Sequence, residues 1–137
     1  MVRSFDNLLS GLAGATVSVL PGNGFPEPGH ASIFVRFSSG ELLNAEYWRI
    51  VEGGHAGISS FDHQQQYGLP APIDAVCALQ EKLNELHVLD AKLDTECGDL
   101  VFRFTGAIGL RVFNFTAYEI WEMRFPDGAV EYSNYNK

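Results

Sequence analysis

The stretch IFVRF at residues 33–37 returns as LVFRF at residues 100–104, and this echo decides the fold. A second echo follows each copy, because EYWRI at residues 46–50 returns as EIWEM at residues 119–123. Apolar residues alternate with others in both stretches, which is the pattern of a half-buried strand. The two echoes together predict that the chain contains a duplicated structural unit.

The copies of this unit are predicted at about residues 5–61 and 79–132 of a single domain, 1–137. The lead-in LSGL at residues 9–12 also returns, as LNEL at residues 83–86. The spacing between matched positions changes along the chain, as loop insertions would produce. A chain of 137 residues is long enough to bury one core.

The pattern of apolar residues predicts helices before the strands of each copy. A short helix is expected after Ser4, and a longer one from Pro72 to Leu86, where apolar residues follow helical spacing. Residues 42–51 and 118–125 are predicted as continuous strands. Strands joined by hairpin turns favour an α+β fold, with antiparallel sheets built from two pseudo-repeated β-meanders and with one long and one short helix.

Charge and composition exclude several classes of function. A net charge of -8 disfavours binding to nucleic acid or to anionic membranes, but it suits a basic protein partner. The N-terminus lacks an apolar signal core and no apolar run could span a membrane, so a cytoplasmic location is expected. Cys77 and Cys97 are too few for a disulfide framework or a zinc site, and Cys77 is expected to be buried on a helix.

Glu46 and Glu119 are the strongest candidates for catalysis in the sequence. Each precedes a tryptophan by two residues, so carboxylate and indole share a strand face, an environment that raises the pKa of a general acid. Arg36 and Arg103 occupy echoed positions on the neighbouring predicted strands. We expect structural cross-strand ion pairs of these arginines with Glu46 and Glu119 rather than catalysis.

Other catalytic and metal-binding patterns are missing from the sequence. His55 and His63 do not have the spacing of a known metal motif, and histidines are expected at the surface. No serine or cysteine lies in a nucleophile elbow. The sequence therefore predicts no catalytic residue, no metal ligand and no cofactor.

A family resemblance is carried by the second half of the chain. The matching residues are Gly98-Asp99-Leu100, Phe104, Leu110, Tyr118-Glu119-Ile120-Trp121 and Pro126-Asp127-Gly128. This pattern resembles the closing segment of small uncharacterised bacterial proteins with a "DL…F…L…YE.W…dG" signature. Residues 48–70 and the predicted helix are similar to their central segment. Where these proteins tend to have Ser-Gly, this chain has Thr116-Ala117.

Proteins of this family are similar in size and acidity to immunity proteins of bacterial toxin systems, and the resemblance implies such a role. We therefore expect a non-enzymatic protein that neutralises a basic toxin or effector by occlusion. The residues expected to contact this partner are Glu41, Glu52, Asp62, Phe115 and Tyr118. Two alternatives stay open: a structural or regulatory homodimer, and a small hydrolase or ligand-binding protein that uses Glu46 and Glu119.

Overall fold

The structure, a computed structural model, describes residues 5–22, 27–114 and 120–132. Its helices are α1 (Phe5–Ser10) and α2 (Ala75–Leu83), with single 3-10 turns at Ser60–Asp62 and Thr105–Ala107. The strands are β1 (Val17–Pro21), β2 (Ile33–Phe37), β3 (Leu42–Ala45), β4 (Trp48–Glu52), β5 (His55–Ser59), β6 (Val88–Leu93), β7 (Leu100–Phe104), β8 (Ile108–Val112), β9 (Trp121–Arg124) and β10 (Val130–Tyr132).

The strands form two five-stranded sheets in which every pair is antiparallel. Sheet 1 has the order β1-β2-β3-β9-β10, and sheet 2 has the order β5-β4-β8-β7-β6. The prediction of antiparallel sheets is confirmed, and helices contribute little to the fold. Among the described residues, no helix is long and apolar enough to cross a membrane.

Residues 42–51, predicted as one strand, are two strands in different sheets. Glu46 donates its backbone N–H to the carbonyl of Ile120 (3.1 Å), next to sheet 1, whereas the Tyr47 carbonyl accepts from Phe113 N–H (2.9 Å), next to sheet 2. The reason is that the alternation of buried residues shifts by one position at the crossing. Leu43 and Ala45 are buried before it, and Trp48 and Ile50 are buried after it. A strand keeps one face buried only at a period of two, so the chain changes sheets here.

The crossing means that the strands of the two halves are mixed. β1, β2 and β3 pair in sequence, and so do β6, β7 and β8. The next two strands of each half join the other sheet: β4 pairs with β8, and β9 pairs with β3. Each sheet is therefore a three-stranded meander from one half, completed by a hairpin from the other.

The core lies between the facing sheets. Phe37 of sheet 1 contacts Phe102 of sheet 2, with ring centroids 5.7 Å apart. Trp48 and Trp121 are fully buried at the first positions of β4 and β9. Trp48 Nε1 donates to the carbonyl of Ala31, and Trp121 Nε1 donates to the carbonyl of Gly98, both at 2.8 Å. Both indoles therefore bury their rings without losing a hydrogen bond.

The helices pack on strands of the opposite halves, α1 against β6 and α2 against β1. α2 has only nine residues and begins after Asp74, whose Oδ1 accepts from the backbone N–H of Cys77 (3.0 Å). It ends before Glu85, which has a positive φ of 64° and cannot continue the helix. The predicted burial of Cys77 is wrong, since this side chain is exposed.

Candidate interaction surface

Exposed apolar residues concentrate in the loop that follows β5. Five large apolar side chains are exposed in the described part of the chain, and three of them, Phe61, Tyr67 and Leu69, lie within nine residues. The exposed fraction of Tyr67 is 67% and that of Phe61 is 40%. A local concentration of this kind is typical of a surface that contacts another protein.

Phe61 belongs to a row of four stacked or tilted rings. His30 stacks on Tyr47 at a centroid distance of 5.1 Å, and Tyr47 stacks on Phe61 at 5.4 Å with an interplanar angle of 12°. Phe61 is tilted against Phe113 at 6.5 Å. These rings come from four separate segments, so the fold assembles the row, and each ring limits the movement of the next.

Three carboxylates border the row of rings. Glu46 Oε2 lies 2.8 Å from Nε2 of His30, and Glu27 Oε1 lies 3.9 Å from Nδ1 of the same ring. Asp62 Oδ1 accepts a hydrogen bond of 2.9 Å from the Tyr67 hydroxyl. The aromatic–acidic surface, as we call it below, consists of Glu27, His30, Glu46, Tyr47, Phe61, Asp62, Tyr67 and Phe113.

Local sequence fixes each of these side chains. The crossing between the sheets places Glu46 and Tyr47 at the boundary of sheet 2. Ser59 and Asp62 form a capping box: Ser59 Oγ accepts from Phe61 N–H (3.2 Å), and Asp62 Oδ2 accepts from Ser59 N–H (2.9 Å). Gly29 adopts a φ of +79°, which closes the turn that carries Glu27 and His30.

Asp62 also affects the protonation of the neighbouring Tyr67 hydroxyl. The hydrogen bond to Asp62 raises the pKa of the Tyr67 phenol above its ordinary value, with smaller contributions from desolvation and from charge repulsion. Tyr67 therefore keeps its proton well into alkaline pH and remains a neutral hydrogen-bond donor with an exposed ring.

The structure does not bring Arg36 and Glu46 together. Glu46 contacts His30 instead, and Arg36, whose cross-strand neighbours are Ser18 and Leu42, makes no ion pair with a described residue. The predicted pair is therefore wrong, because the hairpin register places Leu42 opposite Arg36 and leaves Glu46 beyond the end of β2, next to His30. Arg103 is in an ion pair, but with Asp90: its Nε lies 2.9 Å from Oδ2 and 3.1 Å from Oδ1.

The predicted contact residues have different surroundings. Glu41 is 5% exposed and its Oε1 accepts from Ser39 Oγ at 2.5 Å, so burial excludes it from a contact surface. Glu52 Oε1 lies 2.5 Å from Nζ of Lys82. Asp62 belongs to the aromatic–acidic surface. Phe115, Tyr118 and Glu119 lie outside the described residues.

Sequence reasoning missed most of the aromatic row. His30 was predicted only as a surface loop residue, and Phe61 and Tyr67 received no role. Two features point to these rings: Tyr47 lies where the alternation of buried residues shifts by one position, and Phe61 directly precedes Asp62-His63. His63 is also not a surface residue: it is buried, and its Nδ1 accepts from the N–H of Ala75 (3.1 Å), the first residue of α2.

The described segments contain no group of three or more His, Cys, Asp and Glu side chains that could hold a metal ion. A polar niche of about 130 Å³ lies beside Glu46 and is bordered by Asn44, Glu122 and Tyr132. Glu122 Oε1 accepts from Arg124 (2.9 Å), and Glu46 is engaged by His30. Both carboxylates beside the niche therefore have hydrogen-bond partners among the described residues.

Comparison with protein-family models, with curated proteins and with solved structures finds no match for this chain. Arguments about its function therefore come from the geometry of the aromatic–acidic surface and from its charge.

Proposed function

We propose that this chain is a non-enzymatic binding protein of the immunity type, which neutralises a basic toxin or effector by covering its cationic active site. One observation carries the proposal: an ordered row of four rings, bordered by three carboxylates, reaches the surface where the chain crosses between the sheets.

The composition of the aromatic–acidic surface supports a role in protein recognition. Aromatic side chains are enriched in interfaces and often dominate the binding energy, because they bury a large area at a small cost in side-chain entropy. The rings here are held by stacking before a partner arrives, so little further ordering is needed on binding. The exposed faces of Phe61 and Tyr67 would serve as apolar anchors.

The carboxylates would give the surface its choice of partner. Glu27, Glu46 and Asp62 present negative charge next to aromatic faces, and a lysine or arginine of a partner gains from both. The overall charge of -8 would speed the approach of a basic protein through long-range attraction. Occlusion follows because the cationic residues of such a partner would be covered by this surface.

Affinity capture with matched variants tests this proposal. The immobilised chain is incubated with lysate of its native cell at low and at moderate salt, and bound proteins are identified by mass. We expect one basic protein in stoichiometric amount, released by salt. The double variant Glu27→Lys/Phe61→Ala should lose this protein, since it reverses a carboxylate that is 70% exposed and removes a ring from the middle of the row. Urea unfolding of this variant checks that it is still folded.

The control is the double variant Glu85→Lys/Leu89→Ala, which changes net charge equally and removes another exposed apolar side chain far from this surface in the chain. It should capture the partner as the unchanged chain does. Equal losses in both variants would show that overall charge alone governs binding. Recovery of the bait alone, with a mass that rises with concentration in light scattering, would favour the homodimer alternative instead.

We also infer that the two halves, about residues 5–61 and 79–132, are pseudo-repeated β-meanders, two copies of one duplicated unit. The matching burial of β2 and β7, and the equivalent hydrogen bonds of Trp48 and Trp121, support this inference. Each tryptophan donates to the carbonyl two residues before the echoed strand of its own half. Duplication explains the scaffold, whereas the aromatic row draws on His30 and Phe61, which have no echoed counterpart in the sequence.

A further inference from the structure

Sheet 2 carries an unusual pair of like charges beside the aromatic row. Arg49 of β4 and Arg111 of β8 are directly opposite each other in the antiparallel ladder, on the face that points away from the core. Side chains at such positions have Cβ atoms about 5 Å apart, and like charges there destabilise the sheet. An anion that lies between or above the two arginines would relieve this repulsion.

The described neighbours do not supply that anion. Arg111 is exposed and makes no hydrogen bond or ion pair with a described residue. Asp90, on the same face of the sheet, is engaged by Arg103, and Asp99 Oδ1 accepts the backbone N–H of Asn114 (2.7 Å). Among the described residues, no carboxylate therefore neutralises the positive charge of Arg111.

Arg49 is partly ordered for such a ligand. One terminal nitrogen, Nη1, donates to the carbonyl of Gly57 at 3.0 Å, which fixes the guanidinium and leaves its other N–H groups for a further acceptor. Arg49 thus has one fixed N–H group toward β5, and Arg111 is its cross-strand neighbour on β8, so an anion above β4 can accept N–H groups from both side chains.

The pair adjoins the aromatic–acidic surface. Tyr47 precedes Arg49 by two residues and Phe113 follows Arg111 by two, and the ladder that pairs the arginines continues through the Phe113 N–H to Tyr47 carbonyl bond. Residues two apart lie on one face of a sheet, so rings and arginines form one continuous surface. Carboxylates and two arginines are therefore both neighbours of the rings.

We propose that Arg49 and Arg111 form an anion subsite of the same interface, which takes a carboxylate of the partner protein. This inference rests on the proposed binding function and adds to it the charge pattern of the partner: an acidic side chain next to its cationic ones. A protein carboxylate is favoured over a nucleic-acid phosphate, because the net charge of -8 repels a long polyanion.

The subsite is tested with a peptide of four glutamates, followed by the NMR signals of the arginine Nε–H groups. We expect the signals of Arg49 and Arg111 to shift together and to saturate, whereas Arg124, which is paired with Glu122, stays unchanged. Arg111→Gln should weaken peptide binding about tenfold or more, as for a lost charged hydrogen bond. The control Arg124→Gln should leave peptide binding unchanged.

Stability separates this role from a structural one. Because Arg111→Gln relieves a like-charge contact, its urea midpoint should equal or exceed that of the unchanged chain, although it loses peptide binding. A lowered midpoint with unchanged peptide binding would overturn the inference, as would arginine signals that respond to inorganic phosphate more strongly than to the peptide.

The two proposals fail separately. If the native basic protein is captured equally well by the Arg111→Gln variant and the peptide shifts no arginine signal, the anion subsite is wrong and the binding function stands. If the peptide binds as expected but no basic protein is captured, the subsite remains and the immunity-type function is wrong.

Discussion

Strands β2 and β7 carry the clearest echo in the sequence, and they are alike inside and different outside. Both have the same alternation of buried and open residues, with Phe37 and Phe104 at equivalent buried ends. Their outward arginines differ: Arg103 faces Asp90, whereas Arg36 faces Ser18 and has no ion pair among the described residues. The buried faces of the two strands therefore share one packing pattern, whereas their outward faces differ in ion pairing.

The largest effect is expected at the two buried tryptophans. Trp48→Ala and Trp121→Ala should each lower the free energy of unfolding by about 3–5 kcal/mol, because each leaves a cavity and an unpaired buried carbonyl. Urea unfolding measures both. Similar losses would support equivalent inner faces, and a loss confined to one tryptophan would break the comparison. Leu20→Ala, at an exposed position, is the control and should change little.

A second test concerns a hydrogen bond that holds the backbone of Trp48 in the first half of the chain. The backbone N–H of Trp48 donates to Oγ of the buried Ser60 at 3.1 Å. Ser60→Ala would leave this buried donor unpaired, and we expect a loss of about 1–3 kcal/mol in the free energy of unfolding. Ser10→Ala, at an exposed serine on α1, should have little effect. Equal behaviour of the two variants would mean that Ser60 does not hold the crossing.

Exchanging the residues opposite Arg36 and Arg103 should make the ion pairing of each strand resemble that of the other. Ser18→Asp places a carboxylate opposite Arg36, as Asp90 lies opposite Arg103. We expect a small gain in stability for Ser18→Asp and a small loss for Asp90→Ser, because exposed ion pairs contribute little, and both changes should shrink at high salt. Thermal unfolding at two salt concentrations measures them, and a gain that salt does not reduce would contradict a charge effect.

The ion pair of Asp90 and Arg103 predicts that the free energy of unfolding depends on pH. The hydrogen bonds from Arg103 hold the pKa of Asp90 below its ordinary value in the folded chain. Its contribution to stability is therefore complete above the pKa of an unfolded aspartate and disappears as the pH falls through the lowered folded pKa. Unfolding measured from neutral to acidic pH should show a weaker dependence in Asp90→Ser, and an identical dependence would exclude this carboxylate as a contributor.

The smallest expected effect is a change in the pKa of one side chain, Tyr67. Asp62→Asn removes the negative charge beside the Tyr67 hydroxyl, so the pKa of this phenol should fall toward its ordinary value. The ultraviolet absorbance of the phenolate during alkaline titration measures this shift. Asp127→Asn, a change of the same kind in the turn before β10, should leave the Tyr67 titration unchanged.

The buried faces of β2 and β7 could be predicted from the sequence, because they depend only on the alternation of apolar residues. The alternation in residues 33–37 and 100–104 identified two buried strands and their matching orientation. The crossing at residues 46–47 was also encoded, as a change of phase, but a continuous run of strand-forming residues concealed it. Which strand pairs with which depends on contacts between distant parts of the chain, and single-strand patterns carry no information about them.

The candidate surface could not be predicted for a related reason. His30, Tyr47, Phe61 and Phe113 meet only because loops and strands from both halves converge. The pairing of Arg36 with Glu46 required a hairpin register that the sequence does not specify. In the structure Leu42 lies opposite Arg36, so Glu46 lies beyond the end of β2 and contacts His30 instead.

The mixing of strands also sets an order of assembly during synthesis. Sheet 2 has all of its strands once residue 112 has been made, since β4 and β5 already precede β6, β7 and β8. Sheet 1 must wait for β9 and β10, near the end of the described chain, and until then the edge of β3 is unpaired. Pairing between such distant segments slows folding and leaves that edge open to other chains. A newly made chain is therefore most vulnerable to aggregation just before its last hairpin emerges.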